Sequence, residues 1–262
     1  MNITIGQVIK DLKAGIEVPA PTVDQLSFGH EHTIVKGIVT AFSATHSIIE
    51  QASALGANLI VSHEGVFYSH HEAGDWLSND AVVEAKADAI EKAGIGIFRF
   101  HDYMHGYQPD IVLIGLLRKL GWMAAETQPA EAIVDIPAMQ LTEVAEYLKS
   151  KLNIPYVRAA GEPTMLCKRI GILVGYRGGG SSAIPLLQQQ NVDLIIAGEG
   201  PEWETPEYIR DALHQGRSKA LIMLGHAESE EPGMEYLAEM LAEKYPKLPV
   251  YFLADAPVFQ VF

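Results

Sequence analysis

Short apolar runs recur along the chain at the spacing expected for buried strands. Three of them cover residues 57–62, 95–100 and 220–225, and each has the length of a strand buried on both faces. Amphipathic helical patterns lie between such runs, for example over 80–92, where Asp80 is the expected N-cap. The alternation of strands and helices predicts an α/β fold with mainly parallel strands.

The elements divide into two groups along the chain. We expect residues 1–262 to form one unit that consists of two α/β halves, 1–122 and 165–262. The stretch 123–164 has a different character and is interpreted as an insertion or a bridge. The last predicted strand, 250–253, is assigned to the second half.

Composition narrows the set of partners. The chain has 19 Lys and Arg against 33 Asp and Glu, for a net charge of −14, so we expect neither nucleic acid nor a membrane surface as a partner. No apolar run approaches the roughly 18 residues of a membrane span. The segment 1–6 does not resemble a signal peptide, which favours a cytoplasmic location. Cys167 is the single cysteine, and we interpret it as a structural thiol.

Each of the three strand-like runs ends at a histidine near an acidic residue. The three motifs are His63-Glu64, His101-Asp102 with His105, and His226 with Glu230. Residues four apart on a helical turn face the same way, which applies to the second and third motifs. Because the carboxyl ends of parallel strands meet at one edge of a sheet, we expect the three motifs to lie together.

Each motif taken alone also fits a structural role. The alternatives are an exposed loop pair, a polar loop after a strand, and acids at the start of a helix. The recurrence of the pattern favours a shared metal site for Zn²⁺, Mn²⁺ or Fe²⁺. The segment 70–72 (His-His-Glu) is interpreted as a surface loop, with gating of the site as the alternative. We assign no role to four further histidines: His30, His32, His46 and His214.

A glycine-rich segment over 175–182 lies between a predicted strand and a predicted helix, and it includes Arg177. A tight turn and an anion-binding loop both remain open for it, since it matches no nucleotide-binding motif. Arg177 is the candidate ligand for an anionic substrate. Glu199, in the acidic segment after the predicted strand 193–197, is a second candidate substrate-binding residue.

Three segments resemble the Nif-three-like family, whose members are labelled GTP cyclohydrolase I type 2. They are 56–63 (GANLIVSH), 198–199 (GE) and 225–233 (GHAESEEPG), and the last is similar to the family pattern G-H-x-x-[ST]-E-x-x-G. The resemblance implies an α/β fold around two metal ions, and a homohexamer. Glu64 replaces a histidine of the family and His105 replaces an aspartate, so the ligand composition is preserved. The family's G-D-x-K-Y-H segment is degraded over 198–203.

Together the motifs and the resemblance imply a dinuclear site of two divalent ions (Zn, Mn or Fe) with ligands His63, Glu64, His105, His226 and Glu230. Glu230 would bridge the ions, while His101 and Asp102 would be the catalytic residues that move a proton. The predicted function is hydrolysis of a small anionic or heterocyclic substrate. The alternative is a metal-binding regulatory or scaffold protein that works as a homo-oligomer without turnover.

Overall fold

The computed structural model describes residues 2–71, 75–123 and 132–262. The helices are α1 (Ile5–Lys13), α2 (His46–Ala54), α3 (Ala81–Ala93), α4 (Asp102–Gly106), α5 (Ile111–Leu120), α6 (Leu141–Leu152), α7 (Gly180–Gln189), α8 (Thr205–His214) and α9 (His226–Lys244). The strands are β1 (Leu26–Phe28), β2 (Ile38–Ala41), β3 (Leu59–Ser62), β4 (Gly96–Arg99), β5 (Ile133–Gln140), β6 (Arg158–Ala160), β7 (Leu166–Leu173), β8 (Leu194–Ala197), β9 (Ala220–Met223) and β10 (Val250–Phe252). Within these described ranges, every helix is too short or too polar to cross a membrane.

The first of two compact units comprises residues 1–111 and 234–256. Its sheet has the order β1-β4-β3-β2-β10, in which all pairs are parallel except the edge pair β1 and β4. Every residue of β2, β3 and β4 is buried, as the continuous apolar runs require. In the register, Ser62 at the end of β3 lies beside Arg99 at the end of β4. The residues that follow these two strands therefore leave the sheet side by side.

The second unit comprises residues 112–233 and 257–262. Its sheet has the order β5-β7-β8-β9-β6, with three parallel central strands and two antiparallel edge strands. Ala197 at the end of β8 pairs with Met223 at the end of β9. The acidic segment after β8 and the histidine motif after β9 consequently begin at the same edge of this sheet.

The expected fold class is confirmed: the chain has two α/β halves with mostly parallel buried strands. The sheets are mixed, because each carries at least one antiparallel edge strand. Asp80 caps α3 as expected, since its Oδ1 accepts the N–H groups of Val82 and Val83. Cys167 is buried, and burial raises the pKa of its thiol to about 11, as expected for a structural thiol.

Four elements differ from the sequence expectation. Strand β10, expected in the second half, pairs with β2 in the first sheet. Strands β5 and β6, from the stretch interpreted as an insertion, form the two edges of the second sheet. Helix α9 begins at His226, seven residues before the predicted start at Gly233, and it includes Pro232.

Candidate functional site

The imidazole of His63 lies directly after β3 and is fully buried. Its ring stacks on the ring of His101 with 4.6 Å between centroids, and it meets the ring of His105 edge-on at 5.0 Å. The parallel register of β3 and β4 explains this proximity, since both strands end at the same level. The first two sequence motifs are thus brought together in the first unit.

Helix α4, which begins directly after His101 and contains His105, is held by a buried carboxylate from a distant part of the chain. Asp24 Oδ1 accepts the backbone N–H groups of His101 and Asp102, and its Oδ2 accepts that of Tyr103. Asp24 therefore satisfies the N–H groups that a helix start leaves without an intrahelical partner. Sequence reasoning missed this residue, because it lies 77 positions before His101.

The three histidines of this site share one protonation pattern. Nδ1 of His63 lies 3.3 Å from the carbonyl oxygen of Phe100, Nδ1 of His101 lies 2.8 Å from Asp102, and Nδ1 of His105 lies 2.9 Å from Asp110. Carbonyl and carboxylate oxygens accept hydrogen bonds, so each Nδ1 carries a proton, and in the neutral form of each ring Nε2 keeps a lone pair. We call His63, His101 and His105 the three-histidine group.

The three-histidine group has the chemistry of a metal site. One ligand atom from each ring lies within 4.8 Å of the others. Histidine ligands of metals usually donate their second ring N–H to a carboxylate or carbonyl, as all three do here. The residues present therefore fit a divalent ion such as Zn²⁺. Asp110, which holds His105, was missed by the sequence analysis.

Electrostatics favour the neutral form of the His101 imidazole. Burial, and next the neighbouring His63, lower the pKa of His101 to about 4, although Asp102 opposes the shift. Burial alone would raise the pKa of Asp102, but hydrogen bonds from His101, the Val23 N–H and Thr22 lower it to about 2. At neutral pH, His101 is thus uncharged and Asp102 is ionised.

Glu64, the fourth predicted residue at this location, is paired with a buried guanidinium. Arg99 Nη2 lies 2.9 Å from Glu64 Oε2, while Glu64 Oε1 lies 3.9 Å from Nε2 of His101. Arg99 also donates to the carbonyl oxygens of His63 and His70. Sequence reasoning gave Arg99 no role, yet a charged residue inside the apolar run 95–100 is a signal, because a buried charge needs a partner.

A second buried cation holds the loop after β3. Lys86 of α3 donates from Nζ to the carbonyl oxygen of Val66 at 2.5 Å, and it lies over the rings of Phe67 and Tyr68. Burial lowers the pKa of Lys86 to about 8. His70 follows on the same loop and packs edge-on against the His101 ring, with 4.9 Å between centroids. Glu72, also named in the sequence analysis, lies outside the described residues.

In the second unit, His226 of the third motif lies between two carboxylates. Nδ1 of His226 lies 2.8 Å from Glu199 Oε1, and Nε2 of His226 lies 3.2 Å from Glu230 Oε2. His226 and Glu230 face the same side because they are four residues apart on α9. Gly175 (φ +61°) permits this packing, since a Cβ there would overlap the Glu230 carboxylate.

The glycine-rich segment adopts a tight turn stabilised by an internal carboxylate. Glu204 Oε2 accepts the N–H of Gly180, the first residue of α7, at 2.7 Å. Thr205 Oγ1 donates to the carbonyl oxygen of Gly178. The Glu204 carboxylate thus occupies the N–H of Gly180, which would otherwise be available to a bound anion. Arg177 is exposed on the preceding 3-10 turn, and its contact with a substrate stays a prediction.

The fold and these donor groups define a class: an α/β protein with two mostly parallel sheets and a candidate histidine–carboxylate metal site. The model of the Duf34/NIF3 (NGG1p interacting factor 3) family matches residues 25–257, and the chain belongs to this family. This confirms the resemblance inferred from the three segments.

Relatives and a solved structure agree with this assignment. The chain is 23% identical over 229 residues to a GTP cyclohydrolase 1 type 2 homolog of Clostridium perfringens, which covers 84% of this chain and 82% of that protein. It is 26% identical over 227 residues to the protein of that name from Haemophilus influenzae, covering 81% and 82%. A Bacillus cereus protein related to NIF3 has a TM-score of 0.76 at 15% identity, covering 100% and 99%. At this identity, the structural likeness shows the fold.

Proposed function

We propose that this protein is a metal-dependent hydrolase of a small anionic or heterocyclic substrate. The observation that carries the proposal is the three-histidine group, in which each Nδ1 faces an acceptor oxygen and one ligand nitrogen of each ring lies within 4.8 Å of the others. Such a set favours Zn²⁺, Mn²⁺ or Fe²⁺ over ions that prefer only oxygen ligands.

In this proposal, His63, His101 and His105 are ligands, and Glu64 adds a carboxylate oxygen. His226 and Glu230 are ligands from the second unit, so that two ions are bound per chain. Bound divalent ions would lower the pKa of a coordinated water and polarise a substrate oxygen. The proposal includes a single dinuclear centre in which Glu230 bridges the two ions. This part of the proposal comes from the sequence motifs and the family resemblance.

The chain's own residues have defined tasks. Asp102 holds His101 through Nδ1 and fixes the direction of its Nε2. Glu199 holds the ring of His226 in the same way. Because Asp102 remains ionised and accepts three hydrogen bonds, it acts here by orienting His101, which modifies the proton-moving role first assigned to it. Arg177 would contact an anionic part of the substrate.

The substrate class rests partly on the relatives. Their name refers to GTP cyclohydrolase 1 type 2, which concerns hydrolysis of a heterocyclic nucleotide. We extend to this chain only the class, an anionic or heterocyclic molecule, because the segment 198–203 departs from the family pattern.

Elemental analysis tests the metal, and activity tests the reaction. Protein grown in metal-supplemented medium is expected to contain about two transition ions per chain. His63→Ala and His226→Ala should each lower that number, whereas His214→Ala, a control at the end of α8, should not. X-ray absorption then shows whether the ions form one centre, through a metal–metal distance of about 3.5–4 Å. Wild type without a transition ion contradicts the proposal.

A second candidate function is a metal-binding scaffold that works as a homo-oligomer without turnover. The observation that favours it is the segment 258–262, in which the apolar side chains of Val258, Phe259, Val261 and Phe262 are exposed. Exposed apolar clusters mark interaction surfaces. Sedimentation of Phe259→Ser with and without metal measures assembly. A panel of phosphate esters, cyclic nucleobases and amides measures turnover. Metal-dependent assembly without metal-dependent turnover would favour the scaffold.

A further inference from the structure

His70 differs from the three-histidine group in the nitrogen that carries its proton. Arg99 Nη2 lies 3.1 Å from Nδ1 of His70. A guanidinium has only donors, so Nδ1 of His70 must accept this hydrogen bond. In a neutral imidazole the proton then resides on Nε2, the opposite arrangement to that of His63, His101 and His105.

The partner of His70 is itself fixed. Arg99 is buried, and its guanidinium also donates to Glu64 Oε2 and to the carbonyl oxygens of His63 and His70. These contacts come from both ends of the loop, so the guanidinium cannot rotate away without losing several charge-assisted bonds. The orientation of the His70 ring is thus set from inside the protein.

The location of His70 is suited to contact with a ligand. Its ring packs against the His101 ring at 4.9 Å, while its side chain is 49% exposed. It is therefore adjacent to the three-histidine group and accessible to a small molecule. One ligand atom each of Glu64, His70 and His101 lies within 4.8 Å of the others, so proximity alone would also allow His70 to bind a metal. The Arg99 donor occupies Nδ1 and Nε2 carries the proton, which makes His70 a poor metal ligand and a good hydrogen-bond donor.

We infer that His70 is a binding residue that donates an Nε2–H hydrogen bond to an oxyanion of the substrate at the three-histidine group. The ligand class is a phosphate or carboxylate oxygen. This inference rests on the proposed function, since it places the substrate at the metal site. It also changes the interpretation of the segment 70–72 as a surface loop.

The first test concerns the tautomer and needs no metal. Long-range ¹H–¹⁵N correlation spectra of histidine-labelled, metal-free protein distinguish Nδ1–H from Nε2–H rings, with His70→Gln providing the assignment. We expect Nε2–H for His70 in the wild type, and a mixture of the two tautomers in Arg99→Met. If Arg99→Met fails to fold, the wild-type spectrum alone decides. An Nδ1–H or doubly protonated His70 at neutral pH overturns the inference.

The second test measures binding of inorganic phosphate to the zinc-loaded protein by calorimetry. His70→Ala should weaken phosphate binding about tenfold, as expected for loss of one hydrogen bond to a charged group. His70→Gln, which retains an N–H donor, should recover most of the affinity, and His71→Ala, the matched neighbour, should match the wild type. Zinc content should be equal in all four proteins.

The possible failures are distinguishable. If the wild-type protein takes up no zinc, the proposed function is contradicted. The tautomer spectrum, which needs no metal, still tests the inference about His70. Zinc lost from His70→Ala would make His70 a ligand and overturn the inference. Phosphate affinity that is unchanged in His70→Ala, or absent in zinc-loaded wild type, also overturns it.

Discussion

Replacement of Lys86 by methionine should make stability depend on pH in a way that the structure specifies. Lys86 is 4% exposed, and burial lowers the pKa of its ammonium group from 10.5 to about 8. A difference of this size corresponds to about 3 kcal/mol by which the folded state disfavours the charged form. The lowered pKa already includes the contacts with Val66, Phe67 and Tyr68, so this cost is what remains after they are counted.

The sign follows from proton counting. Below pH 8 the lysine is charged in both states, and the folded wild type bears the full cost. Between pH 8 and 10.5 the folded state releases the proton while the unfolded state keeps it, so wild-type stability rises with pH. Lys86→Met has no such group. The free energy of unfolding of wild type minus that of Lys86→Met should therefore increase by about 2–3 kcal/mol from pH 8 to pH 10.

The assay is urea unfolding at pH 7, 8, 9 and 10, followed by circular dichroism. Lys92→Met is the control, because Lys92 is exposed on the same helix α3. The free energy of unfolding of wild type minus that of Lys92→Met should stay constant across this range. The tyrosines titrate in all three proteins, so their contribution cancels in both differences. A flat difference for Lys86→Met, or one that increases only below pH 8, would refute the reasoning.

Three further predictions concern separate parts of the chain. Gly115→Ala should cost about 3 kcal/mol in urea unfolding, because a Cβ there would overlap the Pro232 carbonyl oxygen and the backbone of the residue after it. Gly180→Ala is the control: its Cβ would meet only side-chain atoms, the end of Ile184 at 3.2 Å and Glu204 at 3.4 Å, and should change stability by less than about 1 kcal/mol. Asp102→Asn should lower the free energy of unfolding by about 2 kcal/mol at pH 7. Its difference from wild type should narrow between pH 4 and 2, because the Asp102 carboxylate, whose pKa is lowered to about 2, takes up its proton there. A difference that stays constant with pH would contradict this. Arg177→Ala should raise KM for an anionic substrate more than it lowers kcat, and the reverse pattern in steady-state kinetics would argue against a binding role.

Local patterns were sufficient for most elements and for part of the site. The apolar runs predicted both ends of β3, β4 and β9 to within two residues, because a strand buried on both faces has a continuous apolar sequence. The spacing of four residues predicted that His226 and Glu230 share one face of a helix. The parallel register then brings His63 beside the residues after β4, as expected from the strand ends. These inferences need only helix and strand geometry.

Long-range pairing decided the rest. Strand β10 pairs with β2, more than 200 residues earlier, and apolar content is the same whichever sheet a strand joins. The tautomers of the histidines depend on Phe100, Asp102, Asp110 and Arg99, and three of these four were given no part in the site by the sequence analysis. A ring nitrogen is protonated or free according to the atom that it faces, and only the tertiary structure decides which atom that is. Sequence alone therefore indicated which residues could bind a metal ion, whereas the fold decided the tautomers: Nδ1 faces an acceptor oxygen in His63, His101 and His105 but a guanidinium donor in His70.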